Sequence, residues 1–326
     1  MKGRKDEMRR IFCILMVFVL WIGTFPFQAF GYLQVGMSGD GSAGNPYIIT
    51  TLDQLNAVRN DLDAHYRLGA DIDASDTASW NNGEGFIPIG TVGIIHSEFN
   101  GSLDGAGYVI RNLTIHRPHA DVAGLFGVMG SSGVLEDVAL EGGSITGKLD
   151  VGGLTGRNYG RVDRSFVTGT VSSNEGIVGG VAGYNGIDGE ITFSYSTGDV
   201  SGVTYVGGLV GRNDGKVSNS YATGTISGTS IIGGLVGDNE GGEIIRSYAA
   251  GAVSGSAEHV GGLVGFNISA SIRNSYATGA VSGRSGIGGL VGSTSHGLIS
   301  HSYATGYVNG SNHIVGGLVG DNSGEI

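Results

Sequence analysis

The chain has 326 residues, 64 of them Gly and only 4 Pro, with 40 % apolar and 14 % charged residues. It lacks the Gly-X-Y triplet of collagen, and it is too aliphatic and too weakly charged for a disordered chain, so it should fold. The net charge of −11 argues against nucleic acid or anionic lipid as a partner, because such a surface repels polyanions.

Residues 1–31 read as an export signal. Lys2, Arg4, Lys5, Arg9 and Arg10 form a basic start, Ile11 to Ile22 is apolar, and Ala29-Phe30-Gly31 offers small residues for cleavage after Gly31. The apolar run is short for a span of ~20 residues. Cleavage would leave 13 Lys and Arg against 27 Asp and Glu, a net charge of −14. It would also remove Cys13, the only cysteine. The mature chain would then hold itself by burial and hydrogen bonding alone, with no membrane insertion.

Residues 32–121 differ from the repetitive chain after them and read as its N-terminal cap. Thr51-Leu-Asp-Gln54 is a capping-box pattern. Leu52, Leu55, Val58 and Leu62 then fall at helical spacing, so one short α-helix is expected over about 52–62. Short strands are expected near Tyr66–Ile72, Phe86–Ile89, Phe99–Leu103 and Tyr108–Ile115.

Residues 122–326 repeat one phrase. Gly-Gly-Leu recurs with its first Gly at Gly152, Gly179, Gly207, Gly233, Gly261, Gly288 and Gly316, in steps of 26–28 residues. A fixed period of this size means a solenoid, in which each unit buries its apolar face against its neighbours. Four aliphatic columns recur. One runs Val122, Val151, Val178, Val206, Ile232 and on. Leu125, Leu154, Val181 and Leu209 begin the second, and Val134, Val162, Ile191 and Val217 the third. The fourth runs from Ile145 through Val171 and Val200. The position after the Leu column admits Thr155 and Ala182, so it is expected to be less buried.

Short β-branched runs broken by Gly, Asn and Ser suit strands, not helices. The predicted fold is all-β: a parallel β-helix with about three strands per coil and an N-terminal cap containing one short α-helix. The six-residue period of left-handed β-helices is absent, which favours a right-handed winding. The Val and Leu columns lie three apart, so the Gly pair between them should bulge or bend the strand. Asn158-Tyr-Gly160, Asn185-Gly186 and Asn213-Asp-Gly215 suggest turns with positive φ. The sequence stops in mid-unit at Glu325-Ile326, so further coils are expected beyond it.

The repeated Gly-Leu-x-Gly with a hydrophobic x resembles the GLUG motif of bacterial surface proteins, found also in the N-terminal regions of some IgA-specific metallopeptidases. Phe99 to Leu113 and Asn45 to Leu55 resemble segments that precede such repeats. The resemblance covers nearly all of the chain after residue 31. It implies a stalk or adhesive segment. The peptidases carry a separate His-Glu-x-x-His zinc domain, and this chain has no such string.

No catalytic residue, metal site or cofactor is expected. Asp163, Asp188, Glu190, Asp199, Asp214, Asp238, Glu240 and Glu243 recur in no column and read as solvated turn acids. Asp71, Asp73 and Asp76, with Asp104, lack the order of a Ca²⁺ loop, so turn and cap duty is expected. His116-Arg-Pro-His119 contains a proline that opposes the helix needed to align two zinc ligands. His96, His259, His296, His301 and His313 stand singly and read as exposed.

One column carries a candidate binding surface: Tyr195, Tyr221, Tyr248, Tyr276 and Tyr303, with Phe166 in an earlier coil. Its neighbours are small, so if they point in, the rings point out by strand alternation. Such a ladder could stack sugar rings, dock a partner or simply stabilise its sheet. The residues point to a secreted or cell-surface bacterial protein, a non-catalytic adhesive or structural rod. Its partners would be glycan, extracellular matrix or other cell-surface proteins. The alternative is a substrate-binding or spacer region of a larger exported enzyme, such as a peptidase or polysaccharide-degrading enzyme.

Overall fold

The computed structural model describes residues 36–91, 97–312 and 314–326. The expected export signal lies outside the described residues, as do His96 and His313. From Gly36 on, the described chain winds as an all-β parallel solenoid of about eight turns.

The six coils from Val122 to Gly283 each hold five short strands, not three. In the coil that starts at Asp150 they are Asp150–Gly152, Thr155–Asn158, Arg161–Asp163, Phe166–Val167 and Thr170–Ser173. Each pairs in parallel with its copy in the next coil: Val151 with Val178, Thr155 with Ala182, Val162 with Ile191, Phe166 with Tyr195, Val171 with Val200. The extra corners come from residues in the left-handed region. Asp137, Arg164, Phe193, Asn219, Arg246, Asn274 and His301 form one column of them, with φ between 47° and 53°. This column breaks each coil two residues before the aromatic ring, and little in the residue types announces it.

The Gly-Gly-Leu element is a sharp corner and not a bulge. Its strand folds back against the next strand with backbone touching backbone. At the first Gly, from Gly152 to Gly316, any Cβ would overlap the carbonyl oxygen three residues on. The second Gly faces the small residue after the ring: a Cβ on Gly208, Gly234 or Gly262 would lie 2.7–2.9 Å from the Cβ of Ala222, Ala249 or Ala277. The last Gly of Gly-Gly-Leu-Val-Gly packs on the neighbouring coil. A Cβ on Gly183, Gly211, Gly237 or Gly265 would lie 2.6–2.8 Å from the amide nitrogens of Val151, Val178, Val206 and Ile232. Three glycines therefore serve three separate close approaches.

The four aliphatic columns form the core, but two expected members are displaced by one residue. Leu135 pairs with Val162, leaving Val134 half-buried beside Arg161, and Ala123 pairs with Val151 in place of Val122. A shift of one residue exchanges the faces of a strand. The position after the Leu column, expected to be less buried, is fully buried: Thr155, Ala182, Val210 and Val236 are all 0 % exposed. The fold-back lets two successive residues face inward, and the Thr155 hydroxyl donates to the carbonyl of Arg157 at 2.7 Å.

The Asn-x-Gly signals also resolve differently. Asn158, Asn185 and Asn213 do not have positive φ. With Asn239, Asn267 and Thr294 they form a buried ladder. Each Asn donates its Nδ2 to the Oδ1 of the next at 2.7–2.8 Å, and Asn267 reaches Thr294 Oγ1 at 3.4 Å. Asn213→Ala should therefore lower stability by about 3 kcal/mol. It removes the acceptor for Asn185, the donor to Asn239 and the 3.1 Å bond to the Gly215 carbonyl, and a buried orphaned group costs ~1–3 kcal/mol. Asn213→Thr should lose less, since Thr294 already closes the ladder. Denaturant midpoints for the two variants check this ranking.

The parallel stack reaches into the segment before residue 122. Tyr47–Ile49, His65–Leu68 and Ser102–Asp104 pair in succession and lead into Val134–Glu136. The expected helix is α1, Leu52–Ala57, followed by a 3-10 turn, Val58–Asn60. Thr51 caps it, its Oγ1 accepting from Gln54 N at 3.3 Å, and Gln54 Oε1 accepts from Thr50 N at 2.7 Å. Phe86–Ile89 is not a strand; isolated bridges at Gly85 and Ile89 tie it to the sheet. A stretch of 3-10 turns, Ser75–Gly83, has no counterpart among the elements expected from the residues.

Candidate functional site

The aromatic column is continuous. Phe166, Tyr195, Tyr221, Tyr248, Tyr276 and Tyr303 stack in order, with ring centroids 4.8–5.1 Å apart and planes within 1–7°. The rings face outward: the first five are half-buried and Tyr303 is 53 % exposed. On one side of each ring a buried serine points inward. Ser165, Ser194, Ser220, Ser247 and Ser275 each donate to the carbonyl two residues back at 2.8–2.9 Å. Each of the last four also accepts from the amide of the serine one coil earlier at 3.1–3.2 Å. On the other side sit buried Val167, Ser196, Ala222, Ala249 and Ala277. The column is thus held by a hydrogen-bonded spine beneath it.

This geometry limits what the ladder can do. Adjacent rings cover each other's faces, so broad stacking of sugars on open rings, the mode read from the sequence, is confined to the two ends. Between them the ladder presents ring edges and a row of hydroxyls. Burial pushes the phenol pKa values of Tyr195, Tyr221 and Tyr248 above their usual value, so these three hydroxyls remain neutral and hydrogen-bonding.

Asp71 and Asp73 serve turns and ion pairs. Asp71 bonds Arg111 Nη1 at 2.7 Å and accepts from Val109 N at 3.0 Å; Asp73 accepts from Ser75 N at 3.0 Å and Asn112 Nδ2 at 3.2 Å. The Arg111 guanidinium lowers the Asp71 pKa, and the Ser75 amide lowers that of Asp73. Asp104 accepts from Ala106 N at 2.7 Å and lies 3.4 Å from Arg67. Among the described residues no group of three His, Cys, Asp or Glu is placed to hold a metal ion.

The repeat acids differ from expectation at two places. Asp163 and Asp238 are not solvated turn acids: they lie on strands and are 5 % and 3 % exposed. Asp163 is paired with Arg161 and Arg164. Asp238 sits in a column that residue types alone do not group: Arg157, Tyr184, Arg212, Asp238 and Phe266, in register across successive coils. Arg157 pairs with Asp150 at 2.5 Å, Tyr184 donates to Asp214 at 2.7 Å, and Arg212 contacts Asp214 at 3.0 Å and Glu240 at 2.6 Å. A shallow cleft of about 260 Å³ lies between Asp150, Arg157, Tyr159, Ile177, Tyr184 and Arg212. His259, expected to be exposed, is half-buried and stacks on Phe266 at 5.1 Å.

Repeats of 26–28 residues, their glycine corners and parallel ladders define a β-solenoid repeat region. The GLUG motif matches it at two places, residues 202–227 and 256–282. Halomucin of Haloquadratum walsbyi is 44 % identical over 162 residues, 48 % of this chain and 2 % of that protein. A protein of Evansella cellulosilytica, named provisionally as a Gly-rich membrane protein, is 40 % identical over 139 residues, 41 % of this chain and 16 % of that protein. The chain therefore spans a small part of either relative. A solved structure from Bacteroides ovatus, of a protein named as a candidate immunoglobulin A1 protease, superposes with a TM-score of 0.61. It is 22 % identical and the match covers 88 % of this chain and 86 % of that one, a likeness of fold.

Proposed function

We propose that this chain is a non-catalytic β-solenoid segment of an exported, cell-surface protein, and that its tyrosine ladder is an adhesive strip for glycan, matrix or neighbouring cells. The observation that carries this reading is the ladder itself: an outward row of regularly spaced phenol hydroxyls on a spine of buried serines. The basic and apolar start of the chain supports export. The names of the two relatives, a halomucin and a membrane protein, support the cell surface.

The test changes Tyr221, Tyr248 and Tyr276 together to Phe. Phe166 already stacks on Tyr195 at 4.8 Å, so the rings and the thermal midpoint should be retained. Three hydrogen bonds at ~0.5–1.5 kcal/mol each would disappear, so attachment to cells or immobilised glycans should weaken by about 10-fold or more. Unchanged attachment would refute the adhesive reading. A second reading then remains, favoured by the small share of each relative that the chain spans: a spacer within a longer exported protein.

A further inference from the structure

We infer that the cleft beside α1 is a binding site for a sugar carrying a single carboxylate, of the uronate class. It lies apart from the tyrosine ladder and does not rest on the adhesive reading. The cleft measures about 330 Å³ and is lined by Asn56, Arg59, Trp80, Asn81 and Ile87, at the small end of the range for small-molecule sites.

Arg59 is held in place before any ligand arrives. Its Nε donates to the Asn56 carbonyl at 2.8 Å, and its Nη2 to Asn56 Oδ1 at 2.7 Å and to the Ile87 carbonyl at 2.8 Å. Its guanidinium carbon lies 5.1 Å above the Phe86 ring. Yet Arg59 makes no ion pair among the described residues, in a chain with 29 acids to 18 bases. The neighbouring cation, Arg117, has one carboxylate at 3.0 Å, Glu84, whose side chain is 58 % exposed. Burial and the Arg117 charge both lower the Arg59 pKa, which marks a site where negative charge would be welcome.

The rest of the wall suits a sugar ring. Trp80 stacks on Phe86 at 6.2 Å, which fixes its indole as one side of the cleft. Asn81 and Asn82 adopt φ of 51° and 58°, an uncommon conformation for non-glycine residues that turns the chain just after Trp80. Asn81 Nδ2 is held by the Gly85 carbonyl at 2.7 Å, so its oxygen is oriented to accept from a ligand. A guanidinium recognises a carboxylate, an indole covers the apolar face of a pyranose, and side-chain amides meet hydroxyls. The net charge of −11 over the chain opposes a polyanion, and the single guanidinium of the lining suits a ligand with one charge.

The chain has two tryptophans, Trp21 and Trp80. In the full chain carrying Trp21→Phe, emission therefore reports on the cleft alone. Titration with glucuronate should shift it saturably, with a midpoint on the order of 1 mM for so small a ligand. Glucose, and acetate at equal ionic strength, should each be at least tenfold weaker. Arg59→Gln should weaken glucuronate at least tenfold. No saturable shift overturns the proposal. Equal response to acetate reduces the site to a general anion contact, and equal response to glucose removes the role of the charge; either result overturns it. Glucuronate binding undiminished by Arg59→Gln does so as well. The three ligand titrations decide the matter even if that variant fails to fold.

Discussion

Gly233→Ala should destabilise the protein by more than about 4 kcal/mol, or stop it folding. The new Cβ would overlap the carbonyl oxygen of Val236 and lie 2.8 Å from both the Leu263 oxygen and the Gly265 nitrogen. Those are backbone atoms of two coils, already committed to the ladders, and none can move as a flexible side chain would. Overpacking a core usually costs ~1–3 kcal/mol, and the larger losses come from sites that cannot relax. The control is Gly44→Ala. Gly44 has nothing within 4 Å of a new Cβ, so its loss should stay within about 0.5 kcal/mol. Denaturant midpoints of both variants check the contrast. A Gly233→Ala protein within about 1 kcal/mol of the parent, the usual loss for a point mutant, would mean that the corner is looser than its backbone contacts indicate.

That corner marks the boundary between what could be read from the residues and what could not. The recurrence of Gly-Gly-Leu gave the solenoid, and the aliphatic columns gave the core. Strand alternation put the tyrosines opposite their small neighbours, but which of the two faces inward was decided only by the buried serines of the stacked coils. Missing was every feature set by contacts between coils. Asn158, Asn185 and Asn213 look like turn residues in one repeat, and only stacking at 2.7 Å makes them a buried ladder. Val122 and Val134 fit the columns by residue type. The register that selects Ala123 and Leu135 is a property of the pairing with the next coil. The Arg59 cleft joins residues from 56 to 87 through a 3-10 segment with no periodic signal. The burial of Asp238 depends on its neighbours one coil away on either side, Arg212 and Phe266.

Asp238→Asn should stabilise the protein at pH 8 and leave it nearly unchanged at pH 4. Asp238 is 3 % exposed and its Oδ1 is buried with no hydrogen-bond partner among the described residues. Arg212, the cation beside it in the column, is engaged by Asp214 at 3.0 Å and Glu240 at 2.6 Å. Burial therefore dominates and raises the Asp238 pKa from 3.8 to about 7, with Arg212 opposing the shift and Glu240 and Asp214 adding to it. Between those two values the folded chain binds more protons than the unfolded one. The contribution of this group to stability is complete below about pH 4 and is lost as pH rises through about 7. The shift of about three units corresponds to a ceiling of about 4 kcal/mol at ~1.4 kcal/mol per unit, in an ordinary domain stability of ~5–15 kcal/mol. Asn is neutral at every pH, so the difference between variant and parent should open from pH 4 to pH 8 in favour of the variant. The difference is the quantity to measure, by urea midpoints at each pH, because the other carboxylates titrate equally in both proteins. A difference that stays flat from pH 4 to pH 8 would show that Asp238 is charged throughout, with Arg212 as its true partner.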